Sequence, residues 1–324
     1  MAPVLEVRGL VTRFATAAGA VHAVNGLSYS VEAGEALGIV GESGSGKSVS
    51  ALSILGLVPP PGRVEAGQAL LNGKDLLAMR PAERRQVLGR EIGIVFQDPA
   101  TALNPVLTIG RQLTEGRRAH LGEDAATARR QAIGLLDMVG LPDPASRLDD
   151  YPHQFSGGQR QRIMIAMAIA CRPSVLIADE PTTALDVTVQ AQIVELVKQL
   201  RGQLGMAVIW ITHDLALLAG VADRVMVMYA GAAAEVAPVR EIFRAPKHPY
   251  TRGLLRAMPH LEAPSPDRLV PIEGSPPDLR QMPSGCAFAP RCPHAAGECT
   301  RAVPSLMEAG PGHRVACWRW EELP

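Results

Sequence analysis

Short runs of consecutive apolar residues alternate along this chain with stretches in which apolar positions recur every three or four residues. Near the start, Val4, Leu5, Val7 and Leu10 alternate with polar neighbours, and Val21 to Ser30 repeats the pattern with Val24, Leu27 and Tyr29. This period of two predicts antiparallel strands joined by a turn containing Gly19. Ala36 to Val40 is a continuous apolar run, as expected for a strand buried on both faces. A helix is expected behind it through Leu57, ending before Pro59-Pro60-Pro61. Ile92 to Phe96, Val175 to Ala178 and Val208 to Ile211 read as further buried strands. From about Ile109 to Leu148 the period is helical, with Leu113, Ile133, Leu135, Leu136 and Val139 available for packing. Ser156 opens another helix, whose apolar face runs through Ile163, Met167 and Ala170, and one more lies near Val189 to Leu204. Strands alternating with helices predict an α/β sandwich with a parallel sheet. After about Val236 long periodic segments disappear and 15 of the 27 prolines crowd in, which places a domain boundary there.

Composition narrows this picture in three ways. Lys and Arg together number 32, as do Asp and Glu, and a net charge of zero argues against a dedicated nucleic-acid binder. No apolar run reaches the length of roughly 18 residues that a spanning helix needs. The opening MAPVLEVRGLVTRF lacks the apolar core and cleavage site of a signal peptide. A soluble, cytosolic chain is therefore expected, and any membrane spans it works with must come from another chain. Of the five cysteines, Cys171 sits in an apolar stretch and reads as a packing residue. Cys286, Cys292, Cys299 and Cys317 crowd near the end, which in a cytosolic protein suggests a metal or redox centre more than a disulfide frame.

The chemistry concentrates at strand ends. Gly41-Glu42-Ser43-Gly44-Ser45-Gly46-Lys47-Ser48 matches the phosphate-binding pattern G-x-x-x-x-G-K-[ST], with a strand before and a helix after it. Glycines let backbone N–H groups turn inward around phosphate oxygens, and the helix N-terminus adds favourable partial charge. Gly41, Ser43, Gly44, Ser45, Gly46, Lys47, Ser48 and Val49 are thus candidate nucleotide contacts. Lys47 would reach the β- and γ-phosphates of ATP, and Ser48 would ligate Mg²⁺. Val175 to Ala178 ends in Asp179-Glu180, two acids that strand alternation sends in different directions. Asp179 suits Mg²⁺, and Glu180 suits general-base activation of an attacking water. Ser156-Gly157-Gly158-Gln159 makes a second anion-binding helix start, although one nucleotide needs only one phosphate loop.

Together these motifs, in this order, resemble ABC ATPases over roughly residues 4 to 240. The resemblance implies a P-loop ABC ATPase fold: a RecA-like core, an antiparallel β subdomain and an α-helical subdomain at about 98–155, forming a nucleotide-binding domain over 1–236. It implies that Ser156, Gly157, Gly158 and Gln159 grip the γ-phosphate of ATP held by a second ATPase subunit, identical or related. Asp186, in Leu185-Asp186, resembles the dimer-contacting D-loop. His213 resembles the switch histidine at the γ-phosphate, and Gln97 the Q-loop glutamine that senses Mg²⁺ and water. Phe14 falls where the adenine-stacking aromatic is expected, though a core role is open to it. Phe155 replaces the commoner Leu before the signature.

Residues 237–324 narrow the resemblance. Lys247-His248-Pro249-Tyr250-Thr251-Arg252-Gly253-Leu254-Leu255 is similar to the extension of oligopeptide and dipeptide permease ATPases, and nickel and glutathione importers carry related extensions. The spacing C-x5-C-x6-C-x17-C also resembles that extension, where four cysteines are associated with an iron–sulfur cluster. Physically, four thiolates suit a [4Fe–4S] cluster or tetrahedral Zn²⁺. The absence of C-x2-4-C knuckles favours the cluster, free cysteines are a third reading, and His294 and His313 are spare ligands. The function implied is an ATPase energising a peptide importer at the cytoplasmic face of the cell membrane. Its partners would be two permease subunits and an external solute-binding protein, with no nucleic acid. A soluble ABC protein acting on ribosomes or DNA is the competing class, which usually carries tandem cassettes or coiled-coil insertions absent here.

Overall fold

The computed structural model describes residues 2–183, 185–258 and 271–323. The chain divides into two compact units, one of Met1–Leu5, Val31–Glu35 and Ala78–Ile211, the other of Glu6–Ser30, Ala36–Leu77 and Thr212–Pro324.

The second unit begins with the predicted hairpin of β1 (Leu5–Thr16) and β2 (Gly19–Val31). After the fully buried β3 (Ala36–Val40), the chain adds β4 (Gly62–Leu71) and β5 (Lys74–Asp75), giving a sheet in the order β2-β1-β4-β5 in which β4 and β5 pair antiparallel. The period-two pattern places Leu5, Val7, Leu10, Val24, Leu27 and Val31 in the core. The helix Lys47–Leu55 is shorter than expected, because Gly56 takes up a left-handed cap (φ 64) and stops it before the prolines.

In the first unit, β6 (Ile92–Val95), β7 (Val175–Asp179) and β8 (Ala207–Thr212) run parallel. Their register pairs Ile92 with Val175 and Asp179 with Ile211. Buried on both faces, they are the continuous apolar runs of the sequence. The long helical stretch is broken into Ile109–Leu121 and Ala125–Met138, since Gly122 caps one helix and Asp124 starts the next. Thr108, Asp124, Ser156 and Asp186 each accept a backbone N–H at a helix start, satisfying donors that have no partner inside the helix.

The second unit then continues beyond the expected strands. β9 (Arg224–Tyr229) lies parallel to β3, and β10 (Ala232–Pro238) returns antiparallel to β9. At the end of the chain, β11 (Met307–Gly310) and β12 (His313–Val315) form a hairpin that adds to the same sheet, with Val315 opposite Glu235. The order here is β11-β12-β10-β9-β3. The Pro-rich extension is therefore stitched into the β-structure that carries the phosphate loop, not merely appended to it. Among the described residues no helix is long and apolar enough to cross a membrane.

Candidate active site

The phosphate loop leaves β3 as the sequence predicts. Gly46 has φ +93, and a Cβ there would lie 2.2 Å from the Ala23 carbonyl oxygen, so only glycine fits. Gly41 is constrained by space instead: its Cβ would meet the Met228 carbonyl oxygen at 2.2 Å. Lys47 is 5% exposed and folds back to donate to the carbonyls of Gly41 (2.8 Å) and Glu42 (3.1 Å). A buried ammonium held on carbonyls can exchange them for phosphate oxygens at little cost, because both are acceptors. Ser45 Oγ is buried and lacks a hydrogen-bond partner among the described residues, an orphan that a phosphate oxygen would satisfy. Ser43 and Gly44 are exposed, while Ser48 and Val49 lie half-buried on the first helical turn. The loop therefore fits a nucleotide phosphate chain.

Phe14 is half-buried, and its ring packs where a side chain on Gly62 would stand, 2.4 Å from the missing Cβ. It is outside the fully buried core, as an aromatic offered to a ligand should be. His213, just past β8, is exposed, and the adjacent Asp214 caps the next helix.

In the other unit, Asp179 ends β7 and is 8% exposed. Glu180 does not continue the strand alternation. Its backbone turns into the left-handed region at φ +46, which a non-glycine residue adopts only at a cost. That turn brings its carboxylate to Gln97 Nε2 (3.1 Å) and to the Thr183 hydroxyl (3.0 Å), both donating to Oε2. The structure thus joins Gln97 and Glu180, which are remote in sequence, and adds Thr183. Thr183 was not foreseen, and only its position three residues beyond Glu180 hinted at it. The oxygen donors of Gln97 and Asp179 in this unit are hard ligands of the kind Mg²⁺ prefers, as is the Ser48 hydroxyl in the other.

Ser156 and Gln159 form a reciprocal capping box: Ser156 Oγ accepts the Gln159 N–H (3.3 Å) and Gln159 Oε1 accepts the Ser156 N–H (3.0 Å). Ser156 and Gly157 remain exposed, so the helix start faces outward. Gly158 lets this helix approach Val187–Leu204 closely, since a Cβ there would sit 2.9 Å from Val189 Cγ1. Asp186 is exposed and caps that second helix through the Val189 N–H (2.9 Å), which is a structural role. Phe155 is buried at 3% exposure, which accounts for its tolerance in place of another large apolar residue.

The C-terminal lobe is organised by buried polar groups. His248 caps helix Pro249–Arg256, its Nδ1 accepting the Tyr250 N–H (3.0 Å), with Pro249 in the first turn, where no N–H is needed. Glu235, fully buried on β10, accepts the Lys247 N–H (2.7 Å) and the His248 N–H (2.9 Å) and pairs with His313 Nε2 (2.7 Å). Burial would raise the Glu235 carboxyl, but the hydrogen bonds from His313 and the two backbone donors prevail and hold it below its ordinary value. Burial drives His248 down to about 4, against the pull of Glu235. His313, one of the two spare ligands near the cysteines, is committed instead to Glu235.

Cys286, Cys292, Cys299 and Cys317 all line one pocket, together with His248, His294 and Phe288. None is in a disulfide. Burial pushes the Cys286 and Cys292 thiols up, and the Cys317 thiol up to about 11, so a bound cation would have to displace their protons. Among the described residues no three His, Cys, Asp or Glu side chains group closely enough to hold a metal ion. The sequence expectation therefore finds its pocket and its donor atoms, but not a formed coordination shell.

Residues 24–183 match the ABC transporter family, and residues 234–299 match the oligopeptide/dipeptide transporter C-terminal region. The dipeptide transport ATP-binding protein DppD of Escherichia coli K12 is 51% identical over 313 residues, covering 97% of this chain and 95% of DppD. DppD of Bacillus subtilis 168 is 50% identical, over 98% of this chain and 95% of its own. Among solved structures, the ATP-binding cassette MJ0796, a dimer in a post-hydrolysis state bound to ADP and Pi, superposes with a TM-score of 0.66 at 26% identity. It covers 73% of this chain and 99% of its own. CbiO1 of Clostridium perfringens, part of the transporter complex CbiONQ, gives a TM-score of 0.64 at 27% identity, over 76% of this chain and 92% of its own.

Proposed function

The chain belongs to the ABC-transporter ATPases that carry the oligopeptide/dipeptide C-terminal region, and on that premise we propose how its residues share the work of driving a peptide importer. It is an ATP-binding and ATP-hydrolysing subunit that energises such an importer, and it works with a dimerising ATPase and with membrane permease subunits. Lys47 and the backbone N–H groups of Ser43 to Val49 hold the phosphates, and Phe14 stacks on the adenine. Ser48, Asp179 and Gln97 would hold Mg²⁺, which when bound would supply positive charge to offset the charge developing in phosphoryl transfer. Glu180 takes the proton from the attacking water, and Gln97 and Thr183 orient its carboxylate. His213 contacts the γ-phosphate. Ser156, Gly157, Gly158 and Gln159, with Asp186, serve the ATP of the second subunit, a reading that the exposed helix start at Ser156 and Gly157 supports.

The observation that carries the hydrolytic reading is the Glu180 carboxylate, held by Gln97 at 3.1 Å on a strained turn at the end of a buried strand. A carboxylate fixed this way suits aiming at a water, whereas a solvated turn acid would need neither the strain nor the partners.

Residues 1–236 form the nucleotide-binding domain, with its helical part at about 98–155, and 237–324 form the extension; of the latter, 259–270 lie outside the described residues. The subunit sits on the cytoplasmic face of the inner membrane, and the importer it drives receives peptide from an external solute-binding protein. Cys286, Cys292, Cys299 and Cys317, which share one pocket, would supply the thiolates of a [4Fe–4S] cluster, with Zn²⁺ as the alternative, once drawn together around it, and such a group would brace a lobe short of apolar core. Metal analysis of anaerobically purified chain should give about four irons with acid-labile sulfide, following four-thiolate ligation. Stoichiometric zinc without iron would replace the cluster by the alternative. The transport reading is tested in proteoliposomes holding the assembled transporter: dipeptide uptake should require ATP and be lost with Lys47→Ala. Uptake that persists in that variant would contradict it.

A further inference from the structure

Arg291 lies in the C-terminal lobe between Cys286 and Cys292, yet its guanidinium reaches the phosphate loop. It is paired bidentately with the Glu42 carboxylate: Nη1 donates to Oε2 (2.7 Å) and Nη2 to Oε1 (3.1 Å). The rest of the fork is occupied as well. Nε donates to the Glu273 carbonyl (3.0 Å), Nη1 to Tyr229 Oη (3.3 Å), and Nη2 to the Ile272 carbonyl (3.3 Å). The side chain is 4% exposed, and the guanidinium lies near the rings of Tyr229 and Phe288. A planar fork with every edge engaged is a fixed fitting, unlike a surface ion pair.

Glu42 is held from the same lobe at a second point. Its backbone N–H donates to Tyr250 Oη (2.9 Å), and Tyr250 is fully buried against Tyr229 and Phe288. Its own carbonyl meanwhile accepts from Lys47 Nζ and from the Ser45 N–H. One loop residue thus joins the phosphate-binding lysine to the C-terminal lobe.

The charge makes this more than a brace. A loop built to surround a highly anionic triphosphate carries a carboxylate one residue past its first glycine. Within a Debye length such a charge repels the phosphates unless it is neutralised. We propose that Arg291 is a positioning residue for nucleotide binding, which neutralises and fixes Glu42 so that the phosphate loop accepts ATP. The C-terminal lobe then contributes to ATP affinity directly, and the short turn that carries Arg291 links the four-thiol pocket to the loop. This rests on the assignment of Gly41–Ser48 as the ATP phosphate loop.

The test uses the full chain with a fluorescent ATP analogue and Mg²⁺. Arg291→Met should raise Kd about tenfold, the scale of one uncompensated nearby charge. Adding Glu42→Gln should restore most of that affinity, because the offending carboxylate is then gone. A purely structural role predicts no restoration, since both variants break the same brace. Should Arg291→Met not yield folded chain, Arg291→Lys keeps the charge but not the fork; a loss of about threefold is expected, again relieved by Glu42→Gln. Lys47→Ala separates the two levels. If it abolishes binding while the Arg291 variants bind as wild type, or are not relieved by Glu42→Gln, the Arg291 assignment is overturned and the ATP site stands. If Lys47→Ala binds normally, the site assignment itself falls.

Discussion

The phosphate loop and the Glu235 pocket each lie on a buried strand of the same sheet, β3 and β10, and they are built by opposite means. Around Gly41–Lys47 the backbone does the shaping: two glycines fit where any Cβ would strike a carbonyl, and the lysine rests on the loop's own oxygens. Around Glu235 side chains do it, with a carboxylate collecting two backbone donors and a histidine from far along the chain. A backbone-built site has little tolerance for added atoms and leaves its donors free for a ligand. A side-chain-built site has little tolerance for removed atoms and uses its donors internally, for cohesion.

The two regions should therefore break under opposite substitutions. Gly46→Ala forces φ +93 on a residue with a Cβ, against the Ala23 carbonyl at 2.2 Å. ATP binding should weaken by about a hundredfold or more, with strain and overlap together worth roughly 3 kcal/mol. Equilibrium binding of labelled ATP checks this, and affinity within threefold of wild type would show that the loop is not shaped as described. Glu235→Ala removes an acceptor and strands buried donors. It should destabilise the C-terminal lobe by about 3 kcal/mol, as loss of one member of a buried pair does. Trp318 and Trp320, both in that lobe, report its melting by fluorescence.

Acid should act on the lobe before the loop. His248 is held neutral down to about 4 against 6.5 in an exposed chain, and Glu235 is held ionised below its ordinary range. For both, the native state binds fewer protons than the unfolded chain, so stability present at neutral pH is lost as pH falls. The His248 contribution, about 3 kcal/mol at most, should fade between roughly pH 6.5 and 4. Urea unfolding followed at the lobe tryptophans over that range measures it, and a pH-independent midpoint would contradict the burial argument. The smallest effect expected is on Phe14→Ala, where a lost stacking contact should weaken ATP binding several-fold, about 1 kcal/mol.

The same contrast decides what the sequence reveals. Gly41–Ser48, Asp179-Glu180 and Ser156–Gln159 are legible because strand, glycine and cap signals lie within a few residues of the chemistry. The buried runs β3, β7 and β8 are legible for the same reason. β10 is not: Ala232 to Pro238 offers mostly alanines, and its Glu235 looks like a surface acid until His313, 78 positions on, is placed beside it. Glu180 is half legible. The role proposed for it follows from position, but the left-handed turn that delivers it to Gln97 and Thr183 replaces the strand alternation expected. Arg291 was hidden because its partner is 249 residues away and no local pattern marks an arginine between two cysteines as a contact of the phosphate loop.

Hydrolysis in this subunit depends most directly on Glu180 acting as the proposed base. Single-turnover hydrolysis of radiolabelled ATP in the assembled transporter should fall by about a hundredfold or more in Glu180→Gln, the scale of a lost general base, while ATP remains bound and uncleaved. Hydrolysis near the wild-type rate in that variant would contradict it.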